Sequence, residues 1–300
     1  LTGGDGDVVA LTLGPVEAEA SAALAAAGAN RLLVADLGGE RAQAAAGADA
    51  VVAAVHEVAP GAVLVSSDYR GKETAGRAAV LLDSACVSDV ADLRVVDGAL
   101  HADRLVLSGS WSTTMSANAH TVHPPILAVR PGSVEVPDAS VDDAAPLPAV
   151  ALEAAVSPEA AAVRLVSRES TAAAAGPDLA GARTVVVGGR GVDGDFDLVR
   201  SLAEPLGAAV GATRVACDEE WIERSAQIGQ TGVSIAPRLY IGLGVSGAIH
   251  HTSGIQGAGT IVAVCDDSEA PIFEMADFGV VGDVTEVVPQ LVAELDRLRG

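Results

Sequence analysis

Three observations predict an α/β protein of two domains. Short β-branched runs alternate with alanine-rich, helix-like segments along most of the chain, the pattern of parallel strands covered on both faces by helices. The rhythm breaks once, across residues 134 to 180, and then resumes. One of the later strand-like runs ends in Gly242-Leu-Gly244-Val-Ser-Gly247, the Rossmann-like arrangement in which a strand of a parallel sheet turns toward a helix. The 300 residues suffice for two domains at roughly 150 residues each.

The elements follow in order. Residues 8–13 (VVALTL) read as a strand, 17–27 as a helix stopped by Gly28, and 31–35 (RLLVA) as a second strand. A helix over 48–59 is closed by Pro60-Gly61, a third strand occupies 62–65, and a helix runs from 72 to 82. From 87 to 133 the pattern turns strand-rich, with breaks at His123-Pro124-Pro125 and Arg130-Pro131-Gly132. Residues 134–180, rich in Pro, Asp and Ala, predict a connecting region with one short strand at 163–167. Asp178 is placed to cap the following turn. The domain boundary is therefore set there, with an N-terminal α/β domain plus connector over 1–177 and a second domain over 178–300. In the latter, strands are expected at 184–187, 207–215, 238–243 and 260–264, and helices at 195–206 and 284–297.

Composition narrows the function. Asp plus Glu number 40 against 18 Lys plus Arg, a formal charge of -22, and such a surface repels a nucleic-acid backbone. No uninterrupted apolar run is long enough to cross a bilayer, so no direct membrane insertion is expected. The opening residues lack the basic and apolar regions of a secretory signal, and Cys86, Cys217 and Cys265 lie far apart in odd number. A cytoplasmic protein with reduced thiols is the expectation.

The glycine run carries the chemistry. Glycines let backbone amides approach a pyrophosphate whose charge they offset, and Asp266-Asp267 follows at the spacing of a dinucleotide fingerprint. A tight strand-to-helix turn in a glycine-rich chain accounts for the same residues. Gly254, Gly257 and Gly259 also leave little room for the long helix of an NAD site. His250 and His251 are adjacent, with no Glu or Cys at ligand spacing, so no metal site is expected. The loop Ile228-Gly229-Gln230-Thr231-Gly232 holds an amide and a hydroxyl between glycines, although such loops ordinarily serve as turns. Arg190 and Arg214 fall at strand ends, where ligands of open α/β sheets gather; surface ion pairs are their plain alternative.

Together these residues resemble the α subunit of electron transfer flavoprotein. The resemblance runs in order through GGRG at 188–191, GAAVGATR at 207–214, IGQTG at 228–232, PRLYIGLGVSGAIHH at 237–251 and SEAPIFEMADFGVVGD at 268–283. It is looser before that, through LGP at 13–15, LVSSDYRG at 64–71, VSDV at 87–90 and VRPG at 129–132. It implies two α/β domains, the C-terminal one binding FAD, with a first-domain sheet that lacks its opening strand. It also implies a heterodimer with a β subunit that takes electrons from dehydrogenases such as the acyl-CoA dehydrogenases of fatty acid oxidation. A membrane quinone oxidoreductase would accept them, and the chain would be an electron carrier with no catalytic residue.

Residue by residue, the resemblance implies that Ser246, Gly247, Ala248, Ile249, His250 and His251 form the phosphate-holding loop, with His251 reaching the flavin O2 edge. Gln230 and Thr231 would follow the O4/N5 edge, the threonine hydroxyl bonding N5, and Ile228 and Gly229 of the same loop would also bind the cofactor. Arg214 would lie near the ring, and Arg190, Thr213, Asp283 and Val284 would face the adenosine diphosphate half. Cys265 stands where the family has Asn, and a thiol cannot reproduce an amide's donor and acceptor. A donating His251 would stabilise negative charge on the reduced ring, so His251→Ala is expected to lower its potential. Three alternatives remain at this point: an NAD-dependent oxidoreductase, a bifurcating or nitrogen-fixation-type member of the same family, and an assembly subunit without cofactor.

Overall fold

The computed structural model describes residues 6–38, 43–107, 111–118, 123–134, 144–167 and 177–299. Two compact units emerge, one holding residues up to 106, 112–130 and 134–170, the other holding 171 onward with short returns at 107–111 and 131–133. Among the described residues, no helix is long and apolar enough to cross a membrane.

In the first unit the elements are β1 (Val9–Thr12), α1 (Ala18–Ala26), β2 (Arg31–Val34), α2 (Ala44–Val58), β3 (Val63–Ser66), α3 (Tyr69–Leu81), β4 (Cys86–Val96), β5 (Ala99–Val106), β6 (Trp111–Asn118), β7 (Ile126–Val129), β8 (Ala149–Ala151) and α4 (Pro158–Ala161). They build a three-stranded sheet, β1-β2-β8, and a five-stranded one, β3-β7-β4-β5-β6. The β4–β5 hairpin is antiparallel and turns at Asp97-Gly98, both at positive φ, the geometry such tight hairpins need. Small side chains let α2 and α3 pack closely: Ala48, Ala75, Ala78 and Ala79 are buried with Val51 and Ile126 in one cluster. Asp68 starts α3 by accepting the Gly71 amide at 2.7 Å. Among the described residues β1 pairs only with β2, and β3 only with β7, so each has one unpaired edge.

The connecting region departs from the sequence reading. Residues 163–167 form no strand; instead Ala149–Ala151 pairs in parallel with β2. Three exposed residues between prolines give no hydrophobic signal, so only the tertiary pairing makes this segment a strand.

The second unit contains β9 (Thr184–Gly188), α5 (Phe196–Leu206), β10 (Ala209–Ala212), α6 (Arg214–Asp218), β11 (Leu239–Leu243), α7 (Ile249–Thr252), β12 (Thr260–Cys265), β13 (Phe278–Val281) and α8 (Val284–Arg299). Asp178 accepts the Gly181 amide at 3.2 Å ahead of β9. The strand region expected over 207–215 divides into β10 and the short α6, and β13 escaped the sequence reading. The sheet is wholly parallel in the order β10-β9-β11-β12-β13.

Alternation along its strands feeds two apolar layers. Val186, Ile241, Leu243 and Val264 join Phe196, Val199, Leu202 and Val288 on one face. Val185, Val187, Tyr240, Ile261, Ala263 and Cys265 join Ile228, Ile235, Ile255 and Ile272 on the other. Helix α5 starts with Asp195 accepting the Leu198 amide at 2.9 Å and ends on left-handed Gly207. Because β10 and β11 lie on opposite sides of β9, the connections reverse between β9 and β11. Open α/β sheets bind their ligands at such a reversal, beyond the carboxyl ends of the strands.

Candidate functional site

A cleft of about 160 Å³ opens at that reversal. Arg190 follows β9, Thr213 and Arg214 follow β10, and Val245, Ser246, Gly247 and Ala248 follow β11; Gln227, Ile228, Thr231, His250 and His251 complete the wall with Val215. Two arginines line it and no lining residue is a carboxylate, in a chain of net charge -22. Arg224 takes Asp218 at 2.6 Å, which leaves Arg214 only a 3.9 Å pairing with the same carboxylate. That exposed pairing contributes little, so the guanidinium is available to a ligand.

The glycines at this edge do more than admit a ligand. Gly191 donates to the Gly244 carbonyl at 3.0 Å, and Gly244 to that of Val264 at 2.8 Å. A Cβ on Gly244, whose φ is +62°, would lie 2.6 Å from the Gly191 backbone. A Cβ on Gly189 would lie 2.3 Å from the Gly244 carbonyl oxygen. The turns after β9 and β11 thus touch backbone to backbone, and only glycine permits it. Helix α7, beyond the glycine run, has four residues, so the long helix of a nicotinamide dinucleotide site is not built.

The two walls are joined twice. At the surface, Gln230 donates its amide to the His250 carbonyl at 2.7 Å, and His250 Nδ1 donates to Gln230 Oε1 at 2.8 Å. Underneath, His251 is buried, with Nδ1 3.1 Å from the Ile228 carbonyl and Nε2 2.8 Å from the Tyr240 hydroxyl. Burial pushes the His251 imidazole down to about 4, against a smaller opposing effect of the Ile228 bond, and pushes the Tyr240 phenol up. His251 is therefore neutral near pH 7. Both its ring nitrogens have partners within the protein, the Ile228 carbonyl and the Tyr240 hydroxyl, and the residue also lines the cleft. The imidazole exposed along the cleft is His250.

Of the remaining residues singled out in the sequence, Gly229, Gln230 and Ile249 flank the lining residues without belonging to them. Cys265, Asp283 and Val284 also stand outside the lining. Cys265 ends β12 with its thiol in the core beside Ile272, 3.8 Å from Asp266 Oδ1. Asp283 caps α8, accepting from the Thr285 amide at 2.8 Å and its hydroxyl at 2.7 Å, which hold its carboxyl below the usual range. Val284 is buried under β12.

Sequence reasoning missed Gln227. The residue is 3% exposed, its Nε2 donates to Thr231 Oγ1 at 2.9 Å, and its buried Oε1 has no partner among the described residues. Accepting that bond leaves the Thr231 hydroxyl proton free to donate outward. The only signal in the sequence was an amide bordering the polar loop. A larger hollow of about 600 Å³ in the first unit, between α2 and β8, has no comparable set: its buried Asp49 is bound at 2.8 Å by both the amide and the hydroxyl of Ser157.

Comparison with known proteins gives the same region a counterpart. Residues 178–256 match the family model described as electron transfer flavoprotein FAD-binding domain, and residues 1–157 the electron transfer flavoprotein domain. Electron transfer flavoprotein subunit alpha of Mycobacterium leprae is 42% identical over 254 residues, 84% of this chain and 76% of the relative. The Bacillus subtilis protein of the same name is 34% identical over 309 aligned residues, 98% of this chain and 89% of the relative. The Arabidopsis thaliana mitochondrial α subunit is 38% identical over 78% of this chain and 64% of its own length. The cleft suits FAD on three counts: cationic lining for a pyrophosphate, glycines against which no side chain intrudes, and an unpartnered buried acceptor in Gln227.

Proposed function

Since the chain belongs to the electron transfer flavoprotein family as an α subunit and carries its FAD-binding domain, we propose that it shuttles electrons between dehydrogenases and a membrane quinone oxidoreductase. Bound FAD supplies the electron-carrying ring. The observation that carries the reading is the cleft itself, two arginines and no carboxylate at the topological reversal of a parallel sheet. Arg190 and Arg214 oppose the negative charge of the cofactor, and Ser246 and Gly247 bring hydroxyl and backbone close to it. Thr231, its hydroxyl oxygen held by Gln227 Nε2 at 2.9 Å, would direct a donor toward the ring, and the unpartnered Gln227 Oε1 would be the acceptor on the same wall. Thr213 and His250 border the same space, His250 held there by Gln230.

A cleft of about 160 Å³ encloses only part of a dinucleotide, since sites for ligands of drug size run to roughly 300–1,000 Å³. The uncovered remainder favours a β subunit as the second wall. We further assign the domains to 1–177 and 178–300; among the described residues of the first, β1 and β3 each keep one open edge.

The test is the visible spectrum of the chain co-purified with its β-like partner, followed by addition of a substrate-reduced acyl-CoA dehydrogenase. A stoichiometric FAD spectrum that bleaches on that addition is the expected result. A colourless complex that takes up no added FAD would overturn the reading, and a yellow complex that the reduced dehydrogenase leaves oxidised would overturn the proposed donor.

Gln227→Leu separates folding from binding. Leucine removes the unpartnered buried carbonyl together with the 2.9 Å bond to Thr231, two opposing effects, so the melting temperature of the FAD-free chain is expected to change little. FAD affinity is expected to fall by about tenfold, the loss of one to two hydrogen bonds of about 1 kcal/mol each. Fluorescence titration with FAD alongside thermal unfolding of the FAD-free chain checks both directions.

A further inference from the structure

Tyr240 lies in the middle of β11 with its side chain wholly buried, and its hydroxyl meets His251 Nε2 at 2.8 Å. On the far side of the ring, Nδ1 faces the Ile228 carbonyl at 3.1 Å. A carbonyl oxygen only accepts, so the Nδ1 position carries the proton. In the neutral ring Nε2 is then a lone pair, and the Tyr240 O–H must donate to it. The opposite tautomer would set a lone pair on Nδ1 against the carbonyl oxygen.

Three segments meet at this ring: β11 through Tyr240, the loop wall through Ile228, and α7 through His251. The space is tight, since a Cβ on Gly229 would lie 2.4 Å from the His250 carbonyl oxygen and one on Gly254 would lie 2.6 Å from Gly229. The Ile228–Thr231 wall and the Ser246–His251 wall therefore meet backbone to backbone next to this residue.

We propose that Tyr240 is a positioning residue of the FAD site: by donating to His251 Nε2 it fixes the Nδ1–H tautomer, and through that ring it sets the spacing of the two cleft walls. This rests on the reading of the cleft as the FAD site. The other charged and titratable groups that line the cleft with His251 are Arg190, Arg214 and His250; the ring's own hydrogen-bond partners are Tyr240 and the Ile228 carbonyl.

The test uses the full chain with FAD and imidazole-15N labelling. In the wild type, His251 is expected to show a single Nδ1–H tautomer. In Tyr240→Phe that signature is expected to be lost and FAD affinity to fall by roughly tenfold, as for a buried acceptor left unpaired. In a His251→Leu background, Tyr240→Phe is expected to have no further effect on FAD affinity, because its route of action is gone. A wild-type ring protonated at Nε2 overturns the proposal without any variant. So does a Tyr240→Phe loss of undiminished size in the His251→Leu background. A wild-type chain that binds no FAD overturns the proposal together with the reading beneath it, and is distinguished by the absent flavin spectrum.

Discussion

Gly247→Ala is expected to weaken FAD binding more than a hundredfold. Gly247 has φ +84°, and a Cβ there would lie 2.3 Å from the Ile272 amide nitrogen and 2.6 Å from its Cα. Those atoms are backbone, so no side chain can swing away. The same Ile272 amide donates to the Ser246 carbonyl at 3.1 Å, which ties the glycine turn to the short helix Pro271–Glu274. Accommodating a methyl group breaks that tie and displaces Ser246 from the cleft wall. A left-handed conformation adds about 1–2 kcal/mol for a non-glycine residue, and each 1.4 kcal/mol is tenfold in affinity. The measurement is the ratio of flavin to protein absorbance in the purified complex, with Gly76→Ala as control. Gly76 lies inside α3 with nothing within 4 Å of its would-be Cβ, so that change is expected to leave FAD content intact and add about 1 kcal/mol of helix propensity. Full FAD content in Gly247→Ala would show that the turn is not rigidly held.

The difference between these two glycines is invisible in the sequence. Gly242-Leu-Gly244-Val-Ser-Gly247 announced a turn suited to phosphate, but the glycines answer first to neighbouring backbone, Gly244 to Gly191 and Gly247 to Ile272. Those partners lie tens of residues away. The same reasoning separates what was legible elsewhere. Strands β9, β11 and β12 are apolar on both faces and were readable as runs, because each feeds two core layers. Strand β8, three exposed residues, and β13, exposed throughout, carry no such signal. Arg190, Thr213, Arg214, Thr231 and Ser246 were found through their order along the chain, and the fold brings them to one cleft. Gln227 was not, since its significance lies in a side-chain bond to Thr231 and an oxygen with no partner. Nor could the sequence show which way His251 faces. That direction depends on Tyr240, which strand alternation turns toward the layer containing Ile228.

Acid is expected to destabilise the second unit through His251 alone in a definable window. Its folded-state value of about 4 lies below the ordinary 6.5, so between these limits the unfolded chain binds a proton that the folded chain refuses. Unfolding is therefore favoured as pH falls from 6.5 toward 4 and the effect levels off below that. At 1.4 kcal/mol per unit the loss is on the order of 3 kcal/mol, a large share of the 5–15 kcal/mol typical of a domain. The carboxyls held low by hydrogen bonds, Asp103, Asp283 and Glu294, act in a lower window, because their pKa values are depressed from 3.8 or 4.5. Trp221, packed beside Gly194, reports on the second unit, and Trp111→Phe removes the other indole. Denaturant unfolding of that variant, followed by Trp221 fluorescence at pH 7.5, 6 and 5, should show falling stability, and adding His251→Leu should flatten the profile over the same range. A profile equally steep without the imidazole would assign the acid sensitivity elsewhere. A flat profile with it would show that the ring keeps an ordinary pKa and overturn the prediction.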